Sequence, residues 1–147
     1  MPLLNDQITS QVRAAFDENL KHDVEVLFFG SQANCDYCDD TRGLLEEVTA
    51  LSPRLNLSVY DLEADAALAQ KHNVTRTPTT VIAARENGSI KDYGIRLLGI
   101  PSGHEFSTLI QDLILVSGRQ SGLDDLTKLF LNALKSPLHL QVFVTPT

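Results

Sequence analysis

The stretch Val24-Glu25-Val26-Leu27-Phe28-Phe29-Gly30-Ser31-Gln32-Ala33-Asn34-Cys35-Asp36-Tyr37-Cys38 decides the reading of this chain. Its first six residues are a short apolar run rich in β-branched and aromatic side chains, the pattern of a strand buried on both faces. Residues 30–34 are a turn signal, and two cysteines follow at once. Over residues 36–51 the periodicity becomes helical through Leu44, Leu45 and Val48. A Cys-x-x-Cys between a buried strand and a helix has a specific physical use. At the helix N-terminus, Cys35 meets unpaired backbone N–H groups and the positive end of the macrodipole, which stabilise the reactive thiolate. Cys38 is within reach of a mixed disulfide formed by Cys35 and can release the product.

The pair holds the only two cysteines in the chain. Random placement gives this spacing roughly once in 75 sequences of this length, so coincidence is a poor explanation. A stapled secreted domain needs more cysteines, spread further apart. Two small core cysteines are the bland alternative. Structural zinc needs four Cys or His ligands; His22, His72, His104 and His139 are far apart in sequence and read as solvated surface residues. No metal site is expected.

Asp36, Asp39 and Asp40 crowd the pair with negative charge, and the nearest cation is Arg42. They oppose the thiolate that the helix terminus favours, so half-maximal alkylation of Cys35 is expected above about pH 6. Helix capping and dipole matching would equally explain three aspartates here. Asp36 and Tyr37, between the cysteines, are the modulating positions. Thr77-Pro78 is a second element of interest. Proline commonly starts a strand; a cis proline facing the cysteines would expose the backbone of Thr77 to an extended substrate segment.

Outward from the cysteines, residues 3–22 read as an amphipathic helix through Ile8, Val12, Ala15, Phe16 and Leu20. Residues 55–60 alternate as a strand, and 61–72 form a short Ala-rich helical stretch. Residues 79–84 make a further strand, Asn87-Gly88 a hairpin turn, and 95–98 its partner. Residues 102–116 form another amphipathic helix, which Gly118 is placed to end. The order is strand, helix, strand, helix, strand, strand, helix, which implies a mixed sheet between helical layers.

The last 29 residues repeat the beginning. Leu126, Leu129, Phe130 and Leu134 reproduce Val12, Ala15, Phe16 and Leu20 at an offset of 114, and residues 138–144 resemble the strand at 23–29 at an offset of 115. A helix and a strand cannot bury their own apolar faces. Residues 1–118 are therefore expected to be one domain and 119–147 a helix-strand fragment of a second unit that the chain does not complete.

Composition excludes several classes. The chain has 147 residues, 43% apolar and 21% charged, enough for a core in one compact domain. No run of about 18 apolar residues exists to span a membrane. The first ten residues lack a basic stretch followed by an apolar one, so the chain reads as cytoplasmic. With 19 acidic against 12 basic residues and no Lys/Arg cluster, nucleic acid is not expected as a partner.

With these motifs in hand, the chain resembles the thioredoxin fold through Cys35-Asp36-Tyr37-Cys38 and through Thr77-Pro78 some 40 residues later. More closely, it resembles the N-terminal unit of the protein disulfide oxidoreductases, or glutaredoxin-like proteins, which carry two tandem thioredoxin folds. Tyr93-Gly94-Ile95-Arg96-Leu97-Leu98-Gly99-Ile100-Pro101-Ser102-Gly103-His104-Glu105-Phe106 is similar to the family's segment before its last helix. Val142-Phe143-Val144-Thr145-Pro146-Thr147 is similar to the strand leading to its second cysteine site. The resemblance implies a three-layer α/β/α sandwich and dithiol–disulfide exchange on protein substrates without an organic cofactor. It implies Cys35 as nucleophile, Cys38 as resolving cysteine, and Thr77 and Pro78 as walls of the substrate groove. It also suggests a thioredoxin-reductase-like flavoenzyme as electron partner. Two departures stand out: Phe29 replaces the buried aspartate of thioredoxins, and the chain has no tryptophan. The competing class is a non-catalytic docking or dimerisation unit, with the 119–147 tail joining two copies and the main active site in the absent second unit.

Overall fold

The computed structural model describes residues 2–145. Thr145 is its last described residue, so the part of the repeat assigned to Pro146 and Thr147 lies outside it. The elements run α1 (Asp6–Asn19), β1 (Val24–Gly30), α2 (Cys38–Thr49), β2 (Leu55–Asp61), α3 (Ala66–Lys71), β3 (Thr79–Glu86), β4 (Ser89–Leu98), α4 (His104–Gly118) and α5 (Asp125–Asn132). The four strands form one sheet in the order β2-β1-β3-β4. β1 pairs parallel with β2 and antiparallel with β3, and β3 pairs antiparallel with β4. The mixed sheet expected from the element order is present.

Strand β1 lies at the centre, and all seven of its residues are buried. Alternation sends Val24, Val26 and Phe28 into the larger core with α1, α2 and α4, and Leu27 and Phe29 into a smaller core with Ala69 and Val74. Helices therefore cover both faces, giving three layers. Glu25 is the exception inside the run, a carboxylate only 1% exposed. It is satisfied by Ser58 Oγ, which donates to it from β2 at 2.6 Å, and by Arg85 of β3 at 2.7 Å. A buried charge persists only when paired in this way.

Several boundaries differ from the sequence reading, each for a local reason. Asn5 caps α1 by accepting from the Ile8 N–H at 2.9 Å, so the helix starts after residue 3 rather than at it. β4 is much longer than residues 95–98. Its first half, Lys91, Asp92 and Tyr93, is exposed and polar and lacks the alternation that marks a strand. The register shifts between Ile82 and Ala83, whose partners are Ile95 and Asp92, so Tyr93 and Gly94 bulge out with Gly94 at φ +87°. Asn87 and Gly88 both have positive φ, as the tight hairpin turn requires. Gly118 does not end α4 as a left-handed cap; Arg119 takes that conformation. Its guanidinium offsets the strain by bonding Val116 O, Asp23 O, Arg85 O and Glu86.

Two expectations are corrected. Residues 138–144 carry no strand, because a strand needs a partner ladder and, among the described residues, no strand edge is paired with this segment. His72 is not a surface residue. It is 4% exposed at the end of α3, where His22, His104 and His139 are exposed as expected. A carboxylate only accepts, so His72 Nδ1–H donates to Asp92 Oδ2 at 2.8 Å. Arg96 then bridges the group, donating to Asp92 Oδ1 at 2.9 Å and to His72 O at 2.7 Å. The cluster pins the end of α3 to the bulge in β4.

The Arg96 guanidinium, against the opposing pull of burial and aided by His72 and the Gly94 N–H, holds the Asp92 carboxyl far below the usual carboxylate range. A depressed carboxylate stabilises the fold above its unfolded pKa and loses that contribution as the pH falls. Asp92→Asn is expected to lower unfolding free energy at pH 7 by about 1–3 kcal/mol. The gap to wild type should begin to narrow below about pH 4 and go on narrowing as the pH falls further. Urea unfolding at several pH values measures this, and a gap independent of pH would count against the assignment.

Candidate active site

The site is built by β1 running straight into the cysteine loop. Cys35 and Cys38 are joined by a disulfide with their Cα atoms 5.5 Å apart. Cys38 is buried, whereas Cys35 is partly exposed. The two cysteines are thus unequal: Cys35 packs at the margin of the core and Cys38 lies within it. Gly30, the last residue of β1, lies beneath them. A Cβ placed on it would fall 3.0 Å from the Phe28 ring and 3.4 Å from Cys38 Sγ, so a side chain here would push against the buried sulfur.

The helix begins later than the sequence reading placed it. α2 starts at Cys38 with Tyr37 as its N-cap, so Cys38 and not Cys35 occupies the first helical position. Cys35 lies in the turn before it. Tyr37 supplies no side-chain cap, and Thr41 bonds back to Tyr37 O through both its N–H at 2.9 Å and its Oγ1 at 2.6 Å. Of the three aspartates, Asp39 and Asp40 occupy the first turn and Asp36 precedes the cap, with none making a capping hydrogen bond. Dipole matching is thus the structural role open to them. All three are exposed, as is the Tyr37 ring.

The Thr77-Pro78 loop meets the cysteine loop through the sheet. Phe29 pairs with Thr79, the first residue of β3, so Gly30 and Pro78 are the next residues along the two strands at that end of the sheet. The Thr77–Pro78 peptide is cis. Pro78 is buried, and its carbonyl accepts from Gly99 N at 2.9 Å, tying the loop to the end of β4. Thr77 is half-buried, and its backbone N–H and C=O pair with no described residue. Of the six residues singled out from the sequence, Cys35, Asp36 and Tyr37 lie between β1 and α2, Cys38 opens α2, and Thr77 and Pro78 directly precede β3, the antiparallel partner of β1.

Sequence reasoning missed a second ring of groups. Ser31 donates to the Glu63 carboxylate at 3.0 Å, and Asp61 accepts from Gln32 N at 3.3 Å. These bonds tie the turn before the cysteines to the end of β2. Phe29, where thioredoxins have an aspartate, stacks on Tyr60 with ring centroids 5.3 Å apart and lies tilted 6.3 Å from the His72 ring. A cavity of about 510 Å³ between β4, α4 and α5 includes Tyr93, Asp112, Arg119 and Lys128 but neither cysteine. Burial there pushes the Asp112 carboxyl up. Among the described residues, no three His, Cys, Asp or Glu side chains are grouped to hold a metal ion, and no helix is long and apolar enough to cross a membrane.

No known family profile matches the chain. The chain is 30% identical over 150 residues to AhpF, an alkyl hydroperoxide reductase component, of Staphylococcus aureus (strain NCTC 8325 / PS 47), covering 99% of this chain and 25% of that protein. The corresponding protein of Staphylococcus epidermidis (strain ATCC 12228) is 28% identical with the same coverage. The chain thus spans about a quarter of the length of the curated relatives it matches. Among solved structures, a protein disulfide oxidoreductase from Aeropyrum pernix k1 superposes with a TM-score of 0.77 at 30% identity, over 89% of this chain and 55% of that one. The NTD_N/C domain of alkylhydroperoxide reductase AhpF from Enterococcus faecalis superposes at 0.76 and 22% identity, over 89% and 61%. The chain thus has a thioredoxin-like, thiol–disulfide oxidoreductase-like fold and a Cys-x-x-Cys pair, and is similar over most of its length to the disulfide oxidoreductase of Aeropyrum pernix.

Proposed function

We propose that this chain is a thiol–disulfide exchange enzyme acting on protein disulfides. The observation that carries the reading is the inequality of the two cysteines, Cys35 partly exposed and Cys38 buried at the first position of α2. In reduced form, the Cys35 thiolate attacks one sulfur of a substrate disulfide, expels the other as a thiolate and forms a mixed disulfide. The Cys38 thiolate then attacks Cys35 Sγ, expels the second substrate thiolate and leaves the Cys35–Cys38 disulfide. Two electrons pass to the substrate, and its two sulfurs take up two protons. The unpaired backbone of Thr77 offers a donor and an acceptor to an extended substrate segment, with Pro78 as the wall beside it. Asp36 and Tyr37 line the exposed rim.

The oxidised pair is restored to dithiol by a two-electron donor, for which we propose a thioredoxin-reductase-like flavoenzyme or reductase domain. The similar staphylococcal proteins are named for hydroperoxide reduction. On that basis the unit acts in a relay, passing electrons toward a peroxide-reducing thiol protein. A cytoplasmic setting, where thiols are kept reduced, completes the proposal. A second reading is favoured by the tail: no residue of α5 is buried, and Leu126, Phe130 and Phe143 are exposed. In that reading the tail joins two copies of the chain.

Three measurements test these readings. In a thiol-driven assay on a disulfide-linked test protein, Cys35→Ser is expected to lose at least about a hundredfold of the catalysed rate. Cys38→Ser should instead trap a mixed disulfide on Cys35. An intact fold with no catalysis over background would leave the docking reading standing alone. Alkylation of the reduced chain against pH should reach half its maximum above about pH 6. Replacing Asp36, Asp39 and Asp40 with asparagine should move that midpoint down, and an unmoved midpoint would remove the aspartates from redox tuning. Light scattering at high concentration is expected to give a dimer that Phe130→Asp dissociates; a monomer at all concentrations rejects association through the tail.

A further inference from the structure

Among the described residues four threonines are buried, and three have partners for their hydroxyls. Thr41 Oγ1 donates to Tyr37 O, Thr49 Oγ1 to Leu45 O and Thr79 Oγ1 to Arg76 O. Thr80 does not. It is fully buried in β3, and its Oγ1 has no hydrogen-bond partner among the described residues. An orphaned hydroxyl in a core is a cost that valine, of nearly the same shape, would avoid.

Its position explains what the cost is for. Residues 80, 82 and 84 of β3 share a face, and Ile82 and Ala84 belong to the core that contains Cys38 and Phe28. Thr80 pairs directly with Phe28 in the β1 register and is diagonal to Gly30 on the same face. Gly30 is the residue whose Cβ would lie 3.4 Å from Cys38 Sγ, and the Phe28 ring approaches the same point. Diagonal neighbours on one sheet face stand about 7–8 Å apart at most, within the reach of side chains that turn toward each other. Thr80 thus stands on the sheet face that carries Phe28 and Gly30, the face on which the buried Cys38 sulfur lies. In the disulfide that sulfur carries no charge and needs no donor.

We propose that Thr80 is a positioning residue whose hydroxyl donates a hydrogen bond to the Cys38 sulfur once the disulfide opens. The proposal rests on the exchange reading above. When a donor thiolate attacks Cys35 Sγ, the S–S bond breaks, a donor–Cys35 mixed disulfide forms and Cys38 leaves as a thiolate. A thiolate released into an apolar enclosure is disfavoured unless a donor meets it. Thr80 meets it without exchanging its own proton. A second donor thiol then attacks the donor sulfur of the mixed disulfide and frees Cys35, so that two electrons enter the pair and solvent supplies two protons. The orphaned hydroxyl of the oxidised form is in this way the satisfied donor of the reduced form. Thr80 stabilises the dithiol relative to the disulfide.

The test is the equilibrium between the full chain and glutathione redox buffers at one pH, for wild type, Thr80→Val and Thr80→Ser. Thr80→Val is expected to shift the equilibrium about tenfold toward the disulfide, a fall of about 30 mV in reduction potential. Its oxidised form should melt no lower than wild type, because an unsatisfied hydroxyl has gone. Thr80→Ser, which keeps the hydroxyl, should stay within about twofold of wild type. A valine variant with an unchanged equilibrium, or one shifted toward the dithiol, overturns the assignment of Thr80 and leaves the exchange reading intact. A wild-type pair that does not equilibrate with glutathione overturns both. Thr80→Ala provides the same readout should the valine variant not fold.

Discussion

Everything in this molecule hangs on a strand that must be buried on both faces. β1 is flanked by β2 and β3, is covered by helices above and below, and ends at a glycine under the sulfur of Cys38. Such a strand can only be apolar, or satisfied wherever it is not. It meets that demand with alternating Val, Leu and Phe side chains and with one paired carboxylate. Because β1 is held on all sides, the loop that follows it leaves the sheet at a fixed point. The residues before β3, Thr77 and Pro78, then lie at the same end of the sheet as the residues that follow β1, because β3 runs antiparallel to it.

The charged side chains inside the fold act as register pins. Glu25 links three strands at once, through Ser58 in β2 and Arg85 in β3. A one-residue slip would turn the carboxylate and every apolar neighbour to the opposite face. Buried ion pairs give little net stability against apolar substitutes, so the value of Glu25 lies in specifying this pairing. His72, Asp92 and Arg96 do the corresponding work at the other edge, where the bulge at Tyr93 and Gly94 breaks the ladder. Arg119 closes the far end by bridging the end of α4 to the carbonyls beside β1 and β3.

The central strand, the cysteine helix, the hairpin turn and the mixed sheet were legible in the sequence because each rests on a local signal. Apolar runs, 3.6-residue periodicity and Asn87-Gly88 all report short-range physics. The cysteine pair was legible for the same reason, since its spacing and its place after a strand are both local. What escaped were features made by distant partners. The polar first half of β4 is a strand because β3 pairs with it, although Lys91, Asp92 and Tyr93 lack strand alternation. His72 is buried because Asp92 and Arg96, twenty or more residues ahead in sequence, fold over it. Thr80 reads as an ordinary β-branched strand residue until the sheet sets it diagonal to Gly30. Cys35 precedes the helix because the first helical hydrogen bond closes on Tyr37, a choice of one turn that periodicity does not encode.

The tail is the place where local and global signals part. α1 and α5 carry the same apolar spacing, and α1 shows what that spacing achieves when packed: Val12 and Phe16 are buried against the core. The matching residues of α5, Leu126 and Phe130, are 80% and 60% exposed. Asp124 caps α5 by accepting from Thr127 N at 2.7 Å, yet eight residues with one cap fall short of the length at which a helix holds itself in water. Most helical stability in proteins comes from burying an apolar face, and here that face is turned outward. The segment from Leu138 to Val144 adds further apolar surface, exposed and without a strand partner among the described residues. One apolar spacing is thus buried where the sheet and its helices receive it, in α1, and exposed where no described residue covers it, in α5.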